Sequence, residues 1–343
     1  MADGRYAMLE GPRHFAIDHG SIPEPGAGEA RVRVRDCGVC GSDLKMWAGT
    51  HAFLRPPLLI GHEIYGTVEE TGGQANGIRP GMQVVVFPPV GCGACFHCLR
   101  GQPQLCADMR FVGGQLPGGL AEHVIIPGDN LIVVPDAVPD YQRVLIEPLG
   151  VGVHAVARAR VAPGESAVVL GAGAIGLFTA VVARLRGLER ILVGEPSAAR
   201  RARAEALGLE TFDPSTTSVA DAVADRIRPE GADVVFECVG SEETIGAALL
   251  ATRKGGRAVV VGNAPATFTL DGLALQRGDR SLVGVLMYDR DDLVQGMEML
   301  ADGLLSALSE DELVQPFALD DVGAAFAAAK DGSLAAVRAV VRP

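Results

Sequence analysis

The clearest chemistry in the sequence belongs to four cysteines within one short segment. Cys92, Cys95, Cys98 and Cys106 stand in GCGACFHCLRGQPQLC with the spacing C-x2-C-x2-C-x7-C. Four thiolates that surround zinc tetrahedrally need close spacing on tight turns, and the glycines of this segment supply those turns. Free thiols or disulfides are the alternative for such a cluster. The spacing favours a structural zinc site in a lobe formed by residues 91–107.

A second set of potential metal ligands lies in three separate segments of the chain. Cys40 lies in CGVCGSDLK, His62 and Glu63 lie in IGHE, and Glu147 lies in IEPLG. One thiolate, one imidazole and two carboxylates form a mixed zinc site, which can keep a position open for water or substrate. Cys37 and Cys40 also form a C-x-x-C pair, but no thioredoxin-like pattern surrounds it.

A glycine-rich loop predicts a nucleotide site. Gly171, Gly173 and Gly176, with Ala174 and Ile175 between the last two, form G-x-G-x-x-G in VVLGAGAIGLF. The loop follows a predicted strand and begins a predicted helix, which is the context that the pattern requires. The glycines permit a tight turn, a close approach by a pyrophosphate and close packing of helix on strand. The phosphates would then meet the positive end of the helix.

The end of the next predicted strand bears on the choice of cofactor. Glu195 closes ERILVGE, and a carboxylate at this place accepts hydrogen bonds from the ribose hydroxyls of NAD. It would repel the 2′-phosphate of NADP by roughly 1–4 kcal/mol at about 4 Å. Arg200 and Arg201 follow shortly and would tolerate that phosphate, unless they form a solvated helix face. The sequence therefore favours NAD and leaves NADP possible.

Two kinds of secondary structure must position these residues. Residues 1–150 contain short β-branched runs between Gly and Pro turns, which predicts a β-rich domain. From 151 to 286, buried strands alternate with helices, as in SAVVL, AIGLFTAVVARLRG and ERILVGE, which predicts βαβ units around a parallel sheet. After 287 the chain becomes helical, and AAVRAVVRP predicts a last strand that returns to the first domain.

Composition narrows the class of protein. The chain has 343 residues, 48% hydrophobic and 21% charged, enough for two domains with cores. Its net charge of −12 argues against nucleic-acid and anionic-membrane partners. The polar start MADGRYAMLEG and the lack of a long apolar run predict neither a secretory signal nor a membrane span. Reduced thiols in metal-binding spacing fit a cytoplasmic protein.

The order of the motifs resembles one family, the zinc-dependent medium-chain dehydrogenase/reductases of the alcohol dehydrogenase superfamily. The motifs are CGVCGSDLK, GHE, the four-cysteine lobe, GGLAEHVIIP, EPLGVGVHA, GAGAIG, FECVG and GRAVVVG. The resemblance spans nearly the whole chain and is closer to the sorbitol/threonine dehydrogenase branch. It implies a GroES-like catalytic domain over 1–150, completed by 287–343. It also implies a Rossmann NAD-binding domain with a doubly wound parallel sheet over 151–286.

The resemblance implies two zinc ions per chain. The catalytic zinc would be held by Cys40, His62 and Glu63, while Glu147 would bind this zinc or its water. The lobe cysteines would hold the structural zinc. The reaction would be the NAD-dependent interconversion of a secondary alcohol, polyol or amino alcohol and its ketone. An NADPH-dependent carbonyl reductase and a non-catalytic, zinc-stabilised nucleotide-binding protein are the alternatives.

Further roles follow from the residues beside Cys40. Ser42 matches the residue that hydrogen-bonds the substrate oxygen and starts a proton relay, with a turn-capping serine as the alternative. Asp43 matches the carboxylate that orients the metal-binding histidine. Lys45 departs from the histidine that many relatives carry, and would bind the cofactor ribose or the substrate. His51 and Arg55, in the segment that lines the family's substrate cleft, would select a polar or anionic substrate or face solvent.

The remaining implied contacts are with the cofactor and with other subunits. Residues that match contacts to the nicotinamide half of the cofactor are Val261, Gly262, Asn263, Val285 and Leu286. By family analogy the protein would be a homodimer or homotetramer.

Overall fold

The computed structural model describes residues 3–22 and 24–343. In the first half of the chain the strands are β1 Asp3–Gly11, β2 His14–Ser21, β3 Glu29–Gly38, β4 Glu63–Thr71, β5 Gln83–Val86, β6 Pro89–Val90, β7 Arg110–Phe111, β8 His123–Pro127 and β9 Leu131–Val133. In the second half they are β10 Ser166–Leu170, β11 Arg190–Gly194, β12 Glu210–Phe212, β13 Ala232–Glu237, β14 Thr252–Val260, β15 Ser281–Gly284, β16 Val314–Ala318 and β17 Arg338–Arg342.

The α-helices lie mostly in the second half. They are α1 Gly41–Trp47, α2 Ile146–Ala159, α3 Ala174–Leu185, α4 Ala198–Ala206, α5 Val219–Arg226, α6 Glu242–Ala251, α7 Gly272–Arg277, α8 Arg290–Ala301, α9 Glu310–Leu313 and α10 Val322–Asp331. Short 3-10 helices occur at Cys98–Arg100, Pro103–Leu105, Gly128–Asn130, Asp140–Leu145 and Leu319–Asp321. No helix in the ranges given above is long and apolar enough to cross a membrane.

The chain divides into two compact units. The first contains the residues up to Glu147, with Asp289–Gly303 and Ser309–Pro343, and the second contains Pro148–Tyr288 with Leu304–Leu308. The division along the chain falls in the first turn of α2.

The first unit is built on a seven-stranded sheet. Its strand order is β16-β17-β3-β4-β5-β9, and β8 also pairs with β3. Along β3 the residues Val32 and Val34 are buried while Arg33 and Arg35 are exposed, which is the alternation of a strand with one face on the core. The core includes Met46 and Trp47 of α1 together with Phe326 of α10. The first unit is therefore β-rich, as the sequence predicted.

The C-terminal strand is an interior member of this sheet. Strand β17 runs parallel to β16 and antiparallel to β3, where Val340 is opposite Gly38 and Val341 is opposite Cys37. Strand β4 lies on the other side of β3, where Gly38 is opposite Glu63. Three distant segments of the chain therefore meet at the end of β3.

The second unit is a doubly wound parallel sheet. Its order, β12-β11-β10-β13-β14-β15, has parallel pairing throughout and is the order of the Rossmann fold. Strands β10 (SAVVL) and β13 (ADVVFE) are buried at every residue, as expected for strands covered on both faces. Together the two units confirm the predicted fold class.

Candidate active site and metal centres

Pairing of β3 with β4 brings the first metal-binding motif to the second. Cys40 lies two residues after the end of β3, and His62 immediately precedes β4. Because Gly38 is opposite Glu63, the two motifs come to the same end of the sheet. A Cβ on Gly38 would lie against the Glu63 carboxylate, so glycine at this position leaves the space that the carboxylate occupies.

Cys40, His62 and Glu63 form a compact set of potential ligands. One ligand atom from each lies within 4.8 Å of the others. His62 and Glu63 are buried, and neither oxygen of the Glu63 carboxylate accepts a hydrogen bond from the described residues. Burial raises the pKa of Glu63 well above its ordinary value, even though Arg338 is adjacent. A buried carboxylate in this state binds a proton or a cation, and the sulfur, nitrogen and oxygen donors together fit zinc.

The groups around Cys40 shift the pKa of its thiol. Burial alone would raise the pKa of Cys40, but His62 and Arg338 lower it below the ordinary value for cysteine. A metal needs the thiolate form, and His62 and Arg338 favour that form of the Cys40 side chain.

Asp43 fixes the orientation of this set from within α1. One carboxylate oxygen accepts a hydrogen bond from the backbone N–H of Cys40 at 2.9 Å, and the other lies 3.3 Å from His62 Nδ1. A carboxylate at one ring nitrogen leaves the other nitrogen, Nε2, for a metal. Asp43 therefore lies beside the His62 ring, and the half-buried Ser42 precedes it in the first turn of α1.

Glu147 is buried nearby but lies outside the set of three. Its side chain is 4% exposed, and its charge contributes to the raised pKa of Glu63. Among the described residues, the group with ligand atoms within 4.8 Å of one another contains Cys40, His62 and Glu63 without Glu147. This placement agrees better with a contact to a metal-bound water than with a fourth protein ligand.

Arg338 is a site residue that no sequence motif indicated. It begins β17, is 7% exposed, donates a hydrogen bond to the Val39 carbonyl at 3.1 Å, and places Nη2 3.0 Å from Glu63 Oε1. The available signal was a single arginine at the head of an apolar strand, because arginine is rarely buried without a partner. Its charge partly compensates the acidic groups around it.

A second overlooked group joins β4 to the segment that precedes α2. The Arg143 guanidinium donates to the Tyr65 hydroxyl at 2.8 Å and to the Val138 carbonyl at 3.0 Å, and Tyr65 donates to Asp140 at 2.8 Å. Tyr65 follows Glu63 by two residues, and Arg143 precedes Glu147 by four. The network therefore links the chain segments that carry the two buried glutamates.

The four lobe cysteines form the second candidate metal centre. Their sulfur atoms lie within 4.8 Å of one another, and Cys92 Sγ and Cys98 Sγ are 4.0 Å apart, whereas a disulfide is about 2.0 Å long. Backbone N–H groups point at the sulfur atoms, from Cys98 to Cys95 and from Cys92 to Cys106, each at 3.5 Å. The hydrogen bond from Cys98 lowers the pKa of Cys95 to about 6. Burial instead raises the pKa of Cys98 to about 11. The four sulfur atoms within one small space fit a structural zinc.

The nucleotide loop has the geometry that a pyrophosphate needs. Gly171 has φ +95°, and a Cβ on Gly176 would lie 1.8 Å from the Gly171 carbonyl oxygen, so neither position accepts a side chain without distortion. A Cβ on Gly173 would meet no atom within 4 Å, which leaves open space above the start of α3. Ala174 and Ile175 begin that helix, whose N-terminus favours an anion.

Glu195 is tied to the glycine loop. Its carboxylate accepts hydrogen bonds from the N–H of Ala172 at 2.8 Å and of Ser197 at 2.9 Å. Arg200 lies 3.8 Å from this carboxylate. Arg201 instead donates hydrogen bonds to the Glu195 and Pro196 carbonyls and to the Asp213 carboxylate. Of the two arginines that the sequence suggested for a 2′-phosphate, only Arg200 thus lies beside the carboxylate.

The predicted nicotinamide contacts lie at the carboxyl ends of the sheet strands. The N–H groups of Val261 and Gly262 donate to the Glu237 carbonyl at 2.8 Å, and the Val285 N–H donates to Val260 at 3.1 Å. Asn263 packs against Gly240, and Leu286 is 50% exposed. Ligands of doubly wound folds bind at this edge of the sheet.

Glu237 organises this edge and was not predicted. Its carboxylate accepts hydrogen bonds from the N–H groups of Val239 and Gly240 and from the Thr244 hydroxyl, all between 2.7 and 2.8 Å. One buried side chain therefore fixes the loop that follows β13.

A dinucleotide-binding loop and two zinc-type donor sets in one chain define a metal-dependent dehydrogenase. The comparisons agree. Residues 26–136 match the family model described as alcohol dehydrogenase GroES-like domain, and residues 174–302 match the one described as zinc-binding dehydrogenase. The chain belongs to the zinc-type medium-chain dehydrogenase/reductase family. It is an oxidoreductase that interconverts alcohols and ketones and uses zinc and a nicotinamide dinucleotide.

Individual relatives match over most of their length. A 2-dehydro-3-deoxy-L-galactonate 5-dehydrogenase from Pseudoalteromonas atlantica is 34% identical over 98% of this chain and 97% of its own. An L-idonate 5-dehydrogenase from Vitis vinifera is 33% identical over 82% of this chain and 80% of its own. Among solved structures, a zinc-binding dehydrogenase from Sinorhizobium meliloti 1021 bound to NADP has a TM-score of 0.88 and 28% identity, with all of both chains covered.

Proposed function

We propose that the protein oxidises a secondary hydroxyl of a polyol, amino alcohol or sugar acid to the ketone, with NAD as hydride acceptor and a catalytic zinc held by Cys40, His62 and Glu63. The observation that carries the proposal is the compact sulfur–nitrogen–oxygen donor set, in which the buried Glu63 carboxylate forms an ion pair with Arg338 but accepts no hydrogen bond from the described residues. The sugar-acid members of this substrate range come from the two named relatives. The reaction is alcohol plus NAD⁺ giving ketone, NADH and a proton.

Different residues of the chain have different roles in this reaction. When bound, zinc supplies a Lewis acid that lowers the pKa of the reacting hydroxyl. Asp43 holds the His62 ring with Nε2 directed to the donor set. Ser42 accepts the proton of the substrate hydroxyl and passes it outward, and Glu147 holds a water beside the donor set. The four lobe cysteines hold a second, structural zinc.

The proposal is tested with the zinc-loaded enzyme and a panel of polyols, amino alcohols, sugar acids and simple secondary alcohols. We expect NADH formation with at least one polyol-class substrate and metal analysis that gives two zinc ions per chain. Treatment with a chelator should abolish NADH formation, and added zinc should restore it. Zinc-free protein that retains full activity would overturn the proposal.

Cofactor choice gives a separate prediction. NAD is proposed because the Glu195 carboxylate, buried against the loop by Ala172 and Ser197, would oppose a 2′-phosphate. Glu195→Gln keeps the size of the side chain and removes the charge, so the ratio of kcat/KM for NAD to that for NADP should fall about tenfold or more. Arg200→Gln should raise the same ratio. A wild-type preference for NADP would favour the carbonyl reductase reading instead.

Assembly and location complete the proposal. We propose a homodimer or homotetramer in the cytoplasm, supported by the family resemblance and by seven free cysteines, four of them in zinc-type geometry. A monomeric mass by light scattering would remove the first statement, and recovery in an exported fraction would remove the second.

A further inference from the structure

The segment between the two catalytic zinc motifs has an unusual charge for this protein. The chain carries 42 acidic and 30 basic residues. Between Cys40 and Glu63, however, Asp43 is the only acidic residue, and it is engaged by His62 and the Cys40 N–H. The basic side chains of the segment are Lys45, His51 and Arg55. A local excess of positive charge therefore lies beside the catalytic donor set in an acidic protein.

The fold of the loop gathers these basic residues. The Lys45 carbonyl accepts hydrogen bonds from the N–H groups of Thr50 at 2.9 Å and His51 at 3.1 Å, so the chain turns back onto the end of α1. The Arg55 Nη1 donates to the carbonyls of His51 and Leu54. Hydrogen bonds within the segment from Lys45 to Arg55 therefore fix its backbone and keep its basic residues close together.

The pKa of His51 indicates that the charged groups of Lys45 and Arg55 lie near its ring. Burial, and then the positive charges of Lys45 and Arg55, lower the pKa of His51 below the ordinary value for histidine. Its Nδ1 accepts hydrogen bonds from the N–H groups of Phe53 and Leu54 at 3.3 and 3.2 Å, which fits a neutral ring. The neutral His51 ring therefore adds no charge to the cluster.

Lys45 lies in the same helix as Ser42, and Arg55 keeps hydrogen-bond donors available. Ser42 and Lys45 are three residues apart in α1, so they share one face of the helix. Arg55 is exposed, and the described residues use only its Nη1, which leaves Nε and Nη2 for a planar acceptor. Side-by-side N–H groups of this kind match the two oxygens of a carboxylate.

We propose that the substrate is a hydroxy acid, and that Lys45 and Arg55 bind its carboxylate while the reacting hydroxyl lies at the catalytic donor set. This inference rests on the proposed function and narrows its substrate class. The two residues are specificity determinants, because they contact the charged end of the substrate and leave the reacting carbon to the zinc ligands.

The test compares substrates that differ only in the terminal group. L-idonate and L-galactonate are assayed beside the matching hexitols, L-iditol and galactitol, and beside galactitol 1-phosphate. We expect kcat/KM for an acid to exceed that for its hexitol by about tenfold or more, since hydrogen bonds to charged groups are stronger than neutral ones. Arg55→Gln should reduce this ratio by about 10–100-fold, and Arg55→Lys should restore part of it. Arg79→Gln, which removes an exposed arginine elsewhere in the first unit, should leave the ratio unchanged.

Binding provides a readout that does not depend on turnover. L-idonate should raise the unfolding temperature of the wild-type protein more than L-iditol does, and Arg55→Gln should remove the difference. Oxidation of hexitols in preference to acids would overturn this inference and leave the proposed function intact. Preference for the phosphate ester, or an equal loss for acid and hexitol in Arg55→Gln, would also overturn it. If no compound of this panel is bound or oxidised, the present inference fails, and the wider panel described under the proposed function decides whether that function fails as well.

Discussion

His62→Ala should lower kcat/KM by about a thousandfold or more, which corresponds to about 4 kcal/mol of lost transition-state stabilisation. The reason is that His62 supplies the only imidazole of the donor set, and its neighbours Cys40 and Glu63 cannot replace it from within the same 4.8 Å cluster. Steady-state kinetics with the best substrate of the panel measure the loss. Zinc analysis of the same sample should show about one ion per chain fewer, because the lobe is unaffected.

Two other variants test whether the loss of activity in His62→Ala is specific to the catalytic donor set. Asp43→Asn keeps the hydrogen-bonded shape but weakens the contact at His62 Nδ1, and should reduce zinc affinity or activity by a smaller factor, about 10–100-fold. His19→Ala removes an exposed histidine of β2 and should change neither quantity. Full activity in His62→Ala would show that the donor set plays no part in the reaction.

Cys98→Ser should act on stability and much less directly on chemistry. Structural zinc contributes on the order of 10 kcal/mol in zinc-finger peptides. A loss of even a third of that would lower the unfolding temperature by about 6–12 °C in a domain of this size. Cys98 is expected to be sensitive because its sulfur lies 4.0 Å from Cys92 Sγ and its N–H supports Cys95. Differential scanning calorimetry with zinc analysis measures both effects.

Cys238→Ser is the matched control for the lobe variant. Cys238 follows β13 in the second unit and belongs to neither group of four or three ligands. Its substitution should leave two zinc ions bound per chain. An unchanged zinc content and unfolding temperature in Cys98→Ser would refute the structural zinc.

Much of the fold could be predicted from the sequence because short stretches of sequence determine where strands, turns and helices form. The buried runs SAVVL and ADVVFE need cover on both faces, and the glycines at 171 and 176 need backbone that no larger residue adopts, so strand, loop and helix could be placed in order. The candidate zinc ligands could be listed for a similar reason, since each lies in a short motif. Local patterns act over a few residues, so they predict single elements and motifs.

The partners of those residues could not be predicted, because they depend on strand register and on contacts between distant segments. Arg338 and Val39 are hydrogen-bonded although they are 299 residues apart. Tyr65 and Arg143 are 78 residues apart. Sequence patterns extend over a few residues, so they contain no information on pairs this far apart. A charged residue can be identified as buried only when the residue that pairs with it is known.

The interior position of β17 has a consequence for the order of folding. The strand that supplies Arg338 to Glu63 pairs with β3, and its Arg338 contacts Val39 across 299 residues of chain. Contacts between segments so far apart in the chain require loop closure before they can form. The lobe cysteines, by contrast, all lie between Cys92 and Cys106. Contact order therefore favours assembly of the lobe before the catalytic donor set receives the compensating charge of Arg338.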